Sequence, residues 1–278
     1  MVKKRSPIGA AAEVLALIVT LFTHWIVFYF IIVNASKPRA EAAKLSLALP
    51  EEFVLWENLS YVWNYNNHIF LRSFFNSVLI TVSTMVILII VASMAAFVLQ
   101  RRGGKLTAAS DKIILAGLTT PLSVIPTYWM LTKLHLANTI PGLVLVEIAL
   151  LFPFSTMLYK SYASSLPKEI DEAAIVDGCD PVRLFFKIIF PLMKPITAAV
   201  IILRSVVVYN DFTNPMYFLA GAKSSTVQLC IYTFQSAYST DWGHLFAAIV
   251  IVCLPPTVLF LALNKKIMEG VTMGAVKG

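Results

Sequence analysis

Six long apolar stretches constrain what this chain can fold into more than any motif does. They occupy residues at about 12–34, 74–99, 113–134, 140–159, 191–209 and 244–264. Each is close to the ~20 residues that an α-helix needs to cross the hydrocarbon core of a bilayer. The sequence therefore predicts an all-α fold, a polytopic transmembrane helix bundle with six spans that forms a single domain over residues 1–278.

Composition supports a lipid environment. Hydrophobic residues make up 58% of the chain and charged residues only 13%, against about 45–50% and about 25% in soluble domains. The net charge of +7 does not indicate a nucleic-acid partner, because the basic residues lie between apolar stretches instead of on one face. The three cysteines are widely spaced and form no ligand-like cluster, so no metal site is predicted.

The distribution of charge predicts an orientation. With the N-terminus inside, the cytoplasmic segments hold fifteen of the 22 Lys and Arg residues and the outer loops hold six. This agrees with the positive-inside rule and predicts an inner-membrane protein with both termini in the cytoplasm. A cleaved signal peptide is the alternative for the first stretch, which follows Lys3, Lys4 and Arg5. Its apolar run exceeds the about 7–15 residues of a signal-peptide core, which favours a retained helix.

The loop between the fourth and fifth stretches, about residues 160–190, carries signals for two short helices. Acidic residues from Glu169 to Glu172 favour a helix start, because they place negative charge at the positive end of the helix dipole. Gly178 favours the end of that helix, and Asp180-Pro181 predicts the cap and first position of a second one. On these signals alone, the loop is either an ordinary amphipathic connection or a docking surface.

The same loop resembles the EAA loop of ABC-importer permeases, which also lies between the fourth and fifth of six spans. The matching residues are Glu172, Ala173, Ala174, Asp177, Gly178, Phe186 and Pro191. The resemblance implies that the first short helix is a coupling helix that docks on a cytoplasmic ATPase subunit. The coupling residues implied in this chain are Glu172, Ala173, Ala174, Asp177 and Gly178.

Further segments are similar to the maltose-type carbohydrate permeases of that family. They are Asn76-Ser77, Ala95-Ala96-Phe97 with Arg101, Pro121 with Ile125-Pro126, Leu136-Ala137-Asn138-Thr139, Asn210-Asp211-Phe212 with Pro215, and the ending Gly274-Ala275-Val276-Lys277-Gly278. The resemblance implies import of a sugar or oligosaccharide with a second homologous permease subunit, a dimer of ATPase subunits and an extracytoplasmic substrate-binding protein. It also implies that the tail, with Gly274 and Lys277, reaches toward the ATPase.

The chain has no phosphate-binding loop of its own. Gly103-Gly104-Lys105 is followed by leucine and lacks the preceding glycine spacing of a G-x-x-x-x-G-K-[ST] motif. We therefore expect no catalytic residues, no ATP hydrolysis and no cofactor in this chain. The resemblance assigns ATP and Mg²⁺ to the partner ATPase.

Five residues are candidates for contact with substrate. Glu147 and Arg204 are ionisable residues inside spans, where charges are costly and usually face a bundle interior. Their similar depth is compatible with a structural salt bridge, and Arg204 is also a candidate for an anionic substrate such as an acidic oligosaccharide. Tyr209, Asn210 and Asp211 suit either sugar binding or a helix end. An ion-coupled secondary transporter or channel is the alternative function, but it leaves the loop pattern unexplained.

Overall fold

The computed structural model describes residues 7–221, 224–234 and 240–275, with side chains for 13–221, 224–232, 234 and 240–263. All regular secondary structure in these ranges is helical. The helices are α1 (Pro7–Ala35), α2 (Arg39–Ala42), α3 (Leu55–Arg101), α4 (Lys105–Thr119), α5 (Val124–Lys133), α6 (Ile140–Ala163), α7 (Glu169–Val176), α8 (Pro181–Leu184), a π-helical turn (Phe185–Ile189), α9 (Phe190–Leu192), α10 (Lys194–Asn210), α11 (Thr213–Phe218), α12 (Val227–Ile231), a 3₁₀ turn (Tyr232–Phe234) and α13 (Trp242–Ala275).

Four single helices are long and apolar enough to cross a membrane, and they correspond to the first, second, fourth and sixth predicted spans. They are Glu13–Ala35, Leu55–Arg101, Ile140–Ala163 and Trp242–Leu263. Two bent pairs, α4 with α5 and the Pro181–Leu192 segment with α10, raise the number to six if each pair is one span. The predicted all-helical membrane bundle is therefore confirmed as a bundle with four to six candidate spans.

The third predicted span is not one straight helix. α4 and α5 meet at an angle of 119°. The break follows from Pro121, which has no N–H to continue the helix and disfavours helical backbone at the residue before it. Thr120 is accordingly extended, with φ −83° and ψ 115°. The fifth predicted span corresponds to α10, and the Pro181–Leu192 segment before it is bent from it by 74° at Met193.

α3 is also interrupted, at residues 65–68. Tyr65 has an extended ψ of 133°, and Asn66, Asn67 and His68 all have positive φ. The second predicted span, residues 74–99, lies entirely in the regular helix that follows. Its small polar side chains turn inward: Ser77, Thr84 and Ser93 are buried, as expected for close helix packing.

Contacts between residues divide the chain into two compact units. The single domain over residues 1–278 stays a prediction. The first unit comprises Met1–Leu71 and Cys230–Leu254. Its centre holds a fully buried lysine, Lys37, whose Nζ donates to the carbonyl oxygen of Ser46 at 2.8 Å and to its Oγ at 3.0 Å. Asn58 Nδ2 donates to the carbonyl oxygens of Ala35 and Lys37. These bonds fix the segment that follows α1.

The second unit comprises Arg72–Leu229 and Pro255–Gly278 and contains the residues around which the candidate site is built. Its core joins α3, α6, the α7–α8 region and α10 through buried side chains such as Leu88, Leu143, Ile189 and Val200. Lys160 of α6 forms an ion pair with Asp111 of α4, at 2.6 Å between Nζ and Oδ2. Tyr159 Oη donates to Thr197 Oγ1 at 3.0 Å and so links α6 to α10.

Candidate functional site

The loop at residues 160–190 forms two short helices at a glycine corner, as the sequence predicts. α7 ends at Val176, and Gly178, two residues later, has a φ of +77° in the left-handed region. The Gly178 N–H donates to the carbonyl of Ile175 and the Cys179 N–H to that of Ala174, both at 3.0 Å. These two bonds define a Schellman motif, in which glycine is favoured because it lacks a Cβ.

The start of the second helix is also where the sequence places it. Asp180 has extended backbone, and its Oδ1 accepts hydrogen bonds from the N–H groups of Val182 and Arg183, both at 3.0 Å. Pro181 occupies the first helical position, where its missing N–H costs nothing. Local hydrogen bonds therefore define the corner on both sides of Gly178. The end of α7 and the start of α8 are each fixed by residues of the corner.

The two faces of α7 differ in their surroundings. Ala174 is 4% exposed and packs in the core, with Ile170 against it. Ile175 and Val176, by contrast, are 62% and 86% exposed. The structure thus separates the five implied coupling residues: Glu172, Ala173, Asp177 and Gly178 are exposed, whereas Ala174 faces inward. Ala174 fixes the position of the helix and is not available to a partner.

An arginine that sequence reasoning assigned no role connects this corner to α3. Arg101 is the last residue of α3, and its Nε lies 2.6 Å from Asp171 Oδ2 in the first turn of α7. Its Nη2 donates to the carbonyl oxygen of Leu166 at 3.1 Å and to that of Pro167 at 3.4 Å. The side chains of Arg101 and Asp171 are only 12% and 13% exposed. Only the family-like position of Arg101 pointed to it in the sequence.

Glu147 and Asp211, two of the substrate-path candidates, lie together in the second unit. Glu147 is 3% exposed on α6, and its Oε1 accepts a hydrogen bond from Asn214 Nδ2 at 2.9 Å. Asp211 caps the start of α11 by accepting from the N–H groups of Thr213 and Asn214, and its carboxyl interacts with that of Glu147. Sequence reasoning missed Asn214, although it follows Asp211 by three residues.

Arg204 does not pair with Glu147 in this structure. Its guanidinium carbon lies 4.2 Å from the centre of the Phe154 ring, a cation–π contact between α10 and α6. Its Nε is buried and has no hydrogen-bond partner within the described part of the chain. The salt bridge that the sequence left open does not form between these two side chains, and the Arg204 guanidinium has an aromatic face beside it instead.

Tyr209 and Asn210 have different surroundings. Tyr209 is buried and lines a cavity of about 280 Å³ between α3, α10 and α13, together with Thr81, Met85 and Ser205. Asn210 is exposed, and its Oδ1 accepts a hydrogen bond from Gln228 Nε2 at 3.0 Å. Of the two tail residues, Gly274 lies in α13 and Lys277 lies outside the described residues.

Comparison with known proteins covers nearly the whole chain. The family profile described as "Binding-protein-dependent transport system inner membrane component" matches residues 14–271. The melibiose/raffinose/stachyose import permease protein MelC of Bacillus subtilis (strain 168) is 32% identical over 258 residues, covering 92% of each chain. The diacetylchitobiose uptake system permease protein NgcG of Streptomyces coelicolor is 29% identical over 252 residues, covering 89% of this chain and 82% of the relative.

A solved structure has the same fold. It is titled as a bacterial ABC transporter involved in the import of the acidic polysaccharide alginate. The superposed chain has a TM-score of 0.79 and 18% sequence identity, and the match covers 95% of this chain and 99% of the other. At this identity the likeness concerns the fold of the polypeptide.

Proposed function

Because the chain belongs to the family of binding-protein-dependent transport system inner membrane components, we propose that it is a permease subunit of an ABC importer for a sugar or oligosaccharide. The observation that carries the proposal is the corner at Gly178, where Ile175 and Val176 project from a helix that is otherwise fastened to the bundle. Exposed apolar side chains on a rigid, hydrogen-bonded corner are typical of a protein interaction site. The relatives named for sugar import support the substrate class.

We assign the corner to contact with a cytoplasmic ATPase subunit. In this arrangement Ile175 and Val176 enter a cleft on the ATPase, while Glu172 and Asp177 form polar contacts at its rim. Gly178 sets the angle between α7 and α8, and Ala174 holds α7 against the core. A dimer of such subunits binds ATP and Mg²⁺ and supplies the work of transport. The tail at Gly274 and Lys277 is the second candidate contact with the ATPase.

The remaining partners are a second homologous permease subunit and an extracytoplasmic substrate-binding protein. The family description names the binding-protein dependence. With each bent pair counted as one span, the chain crosses the inner membrane six times, and the excess of Lys and Arg in the inner segments supports cytoplasmic termini. Surrounding lipid covers the exposed apolar side chains of α1, of whose candidate span only 6% is buried.

The substrate path is assigned to the residues around α10. Tyr209 lines the cavity with α3 and α13, and Asn210 is exposed at the outer end of α10, which supports a contact of both residues with sugar hydroxyls. Arg204 supports an anionic substrate, because a mid-span guanidinium without a carboxylate partner is costly unless an anion reaches it. Glu147 and Asp211 position the start of α11 at the end of this path.

Co-purification tests the coupling assignment. The chain is expressed with the ATPase and permease subunits of its own transport system, and the ATPase retained on the tagged permease is quantified. We expect full retention for the unchanged protein and loss of retention for Glu172→Arg and Val176→Asp. Lys168→Ala, an exposed change just before α7, serves as the matched control. If both corner variants retain the ATPase and transport substrate normally, the corner does not bind the ATPase.

A further inference from the structure

Arg101 joins the end of α3 to the first turn of α7 by a polar contact that is largely shielded from water. One guanidinium reaches three points within six residues of chain: the carbonyls of Leu166 and Pro167 and the carboxylate of Asp171. Nε and Nη2 approach the two oxygens of Asp171 side by side, at 2.6 and 3.4 Å. Nε is within ion-pair distance of one oxygen, whereas Nη2 donates to the other oxygen and to both carbonyls. A planar guanidinium reaches these acceptors together, which the single ammonium of lysine reproduces only in part.

Because the contact between Arg101 and Asp171 is shielded from water, we expect it to stabilise the position of α7 more than a surface ion pair would. Both side chains are mostly shielded from water, so the attraction is screened less than in solvent, and loss of one partner leaves the other charge poorly solvated. The ring of Phe97, one turn earlier on α3, lies 6.0 Å from the guanidinium. Phe97 also contacts Phe185 of the π-helical turn at 5.7 Å between ring centres. The end of α3 therefore contacts the loop on both sides of the corner.

An earlier part of α3 lines the cavity. Val78, Thr81 and Met85 face it opposite Ser205 and Tyr209 of α10. A displacement of α7 that is transmitted to Arg101 thus acts on the helix that forms one wall of this cavity. Packing of Ala174 in the core resists separation of α7 from the bundle. The Arg101 contact adds an ion pair between α3 and α7 and hydrogen bonds from α3 to the two residues Leu166 and Pro167.

We infer that Arg101 is a positioning residue that couples the movement of α7 to α3, with Asp171 as its acceptor. The inference rests on the proposed function, because the movement it transmits originates in the ATPase. Arg101 is not among the residues that line the cavity. We therefore expect removal of the Arg101 side chain to lower the amount of substrate moved per ATP hydrolysed. Binding of the ATPase and its rate of hydrolysis should stay nearly unchanged.

The functional test compares substrate moved per ATP hydrolysed in proteoliposomes that contain the complete transporter. For Arg101→Ala we expect ATPase retention and hydrolysis within about twofold of the unchanged protein, with transport per ATP lowered about tenfold, the size of a typical coupling effect. Arg101→Lys restores part of the ratio, and so does the exchange Arg101→Asp with Asp171→Arg. Arg102→Ala, a change at the exposed neighbouring arginine, is the control and leaves the ratio unchanged.

A distance measurement tests the same contact without the ATPase. Spin labels are placed at Val98 of α3 and at Lys168 before α7, both exposed, in a background without Cys179, Cys230 and Cys253. We expect Arg101→Ala to broaden the distance distribution and Arg102→Ala to leave it narrow. An unchanged distribution with Arg101→Ala, or an unchanged transport ratio, overturns the inference. Loss of ATPase retention with Arg101→Ala overturns it as well, since the residue would then act in docking.

The two proposals fail in different ways. If the unchanged chain retains no ATPase, the proposed function is wrong, and the spin-label result still decides whether Arg101 holds α7 to α3. If the unchanged chain retains the ATPase and Glu172→Arg abolishes that retention, the function stands. The amount of substrate moved per ATP by Arg101→Ala then tests only the role of Arg101.

Discussion

Substitution of Gly178 isolates the backbone requirement of the corner between α7 and α8, the proposed contact with the ATPase. Its φ of +77° is unfavourable for residues with a Cβ, and no atom lies within 4 Å of a Cβ built at this position. A steric clash therefore does not contribute, and Gly178→Ala costs only the left-handed conformation, about 1–2 kcal/mol. A difference of this size changes the population of the formed corner by at most about 5–30-fold.

Different substitutions at position 178 are expected to differ in this conformational cost. Asparagine tolerates the left-handed region better than alanine, so Gly178→Asn is expected to be the mildest change. Gly178→Pro is the most severe, because proline fixes φ near −65° and removes the N–H that donates to Ile175 at 3.0 Å, at a cost of about 3 kcal/mol or more. The apparent affinity for the ATPase falls with the population of the competent corner.

The assay is the dissociation constant between the permease in lipid nanodiscs and the isolated ATPase dimer. We expect affinity to decrease in the order Gly178, Asn, Ala, Pro, with alanine at most about 30-fold weaker. Gly103→Ala is the matched control, since Gly103 also has open space around its Cβ but no positive φ. Equal affinity for the asparagine, alanine and proline variants would refute the reasoning from backbone conformation.

Three further predictions follow from single contacts. Gly142→Ala places a Cβ against the backbone carbonyl oxygen of Leu136, so we expect a displaced turn before α6 and a lower melting temperature in detergent, measured by scanning fluorimetry; an unchanged melting temperature contradicts this. Val176→Asp changes an 86% exposed side chain, so it should weaken ATPase binding without changing that temperature. Arg204→Ala removes the charge above Phe154, and we expect uptake of a uronate oligomer to fall about tenfold more than uptake of raffinose; an equal fall would show that Arg204 does not recognise charge.

The parts of the fold that the sequence predicted depend on local signals. The corner at Gly178 and the cap at Asp180 were predicted in the correct positions because glycine, aspartate and proline each satisfy a backbone requirement within a few residues. The apolar stretches were located for a similar reason, since length and hydropathy are properties of contiguous sequence. Agreement at this level required no knowledge of which helices are neighbours.

The features that the sequence did not predict depend on the directions of helices and side chains and on contacts between distant residues. Pro121 predicts a disruption, but the 119° bend at this break depends on the packing of α4 and α5. Depth along a span left open whether Glu147 pairs with Arg204, and the two side chains contact Asn214 and Phe154. Sequence gives the height of a residue in the membrane more readily than the side of the helix it occupies. Arg101 and Asp171 are 70 residues apart, and no local pattern joins them.

Uptake into proteoliposomes tests the central claim most directly. Vesicles contain this chain with its partner permease and ATPase subunits, the binding protein is added outside, and raffinose or a uronate oligomer is the labelled probe. The account predicts accumulation that requires ATP on the ATPase side, stops with vanadate and is insensitive to protonophores. Accumulation by this chain alone, driven by an ion gradient and independent of ATP, would contradict the assignment as an importer permease.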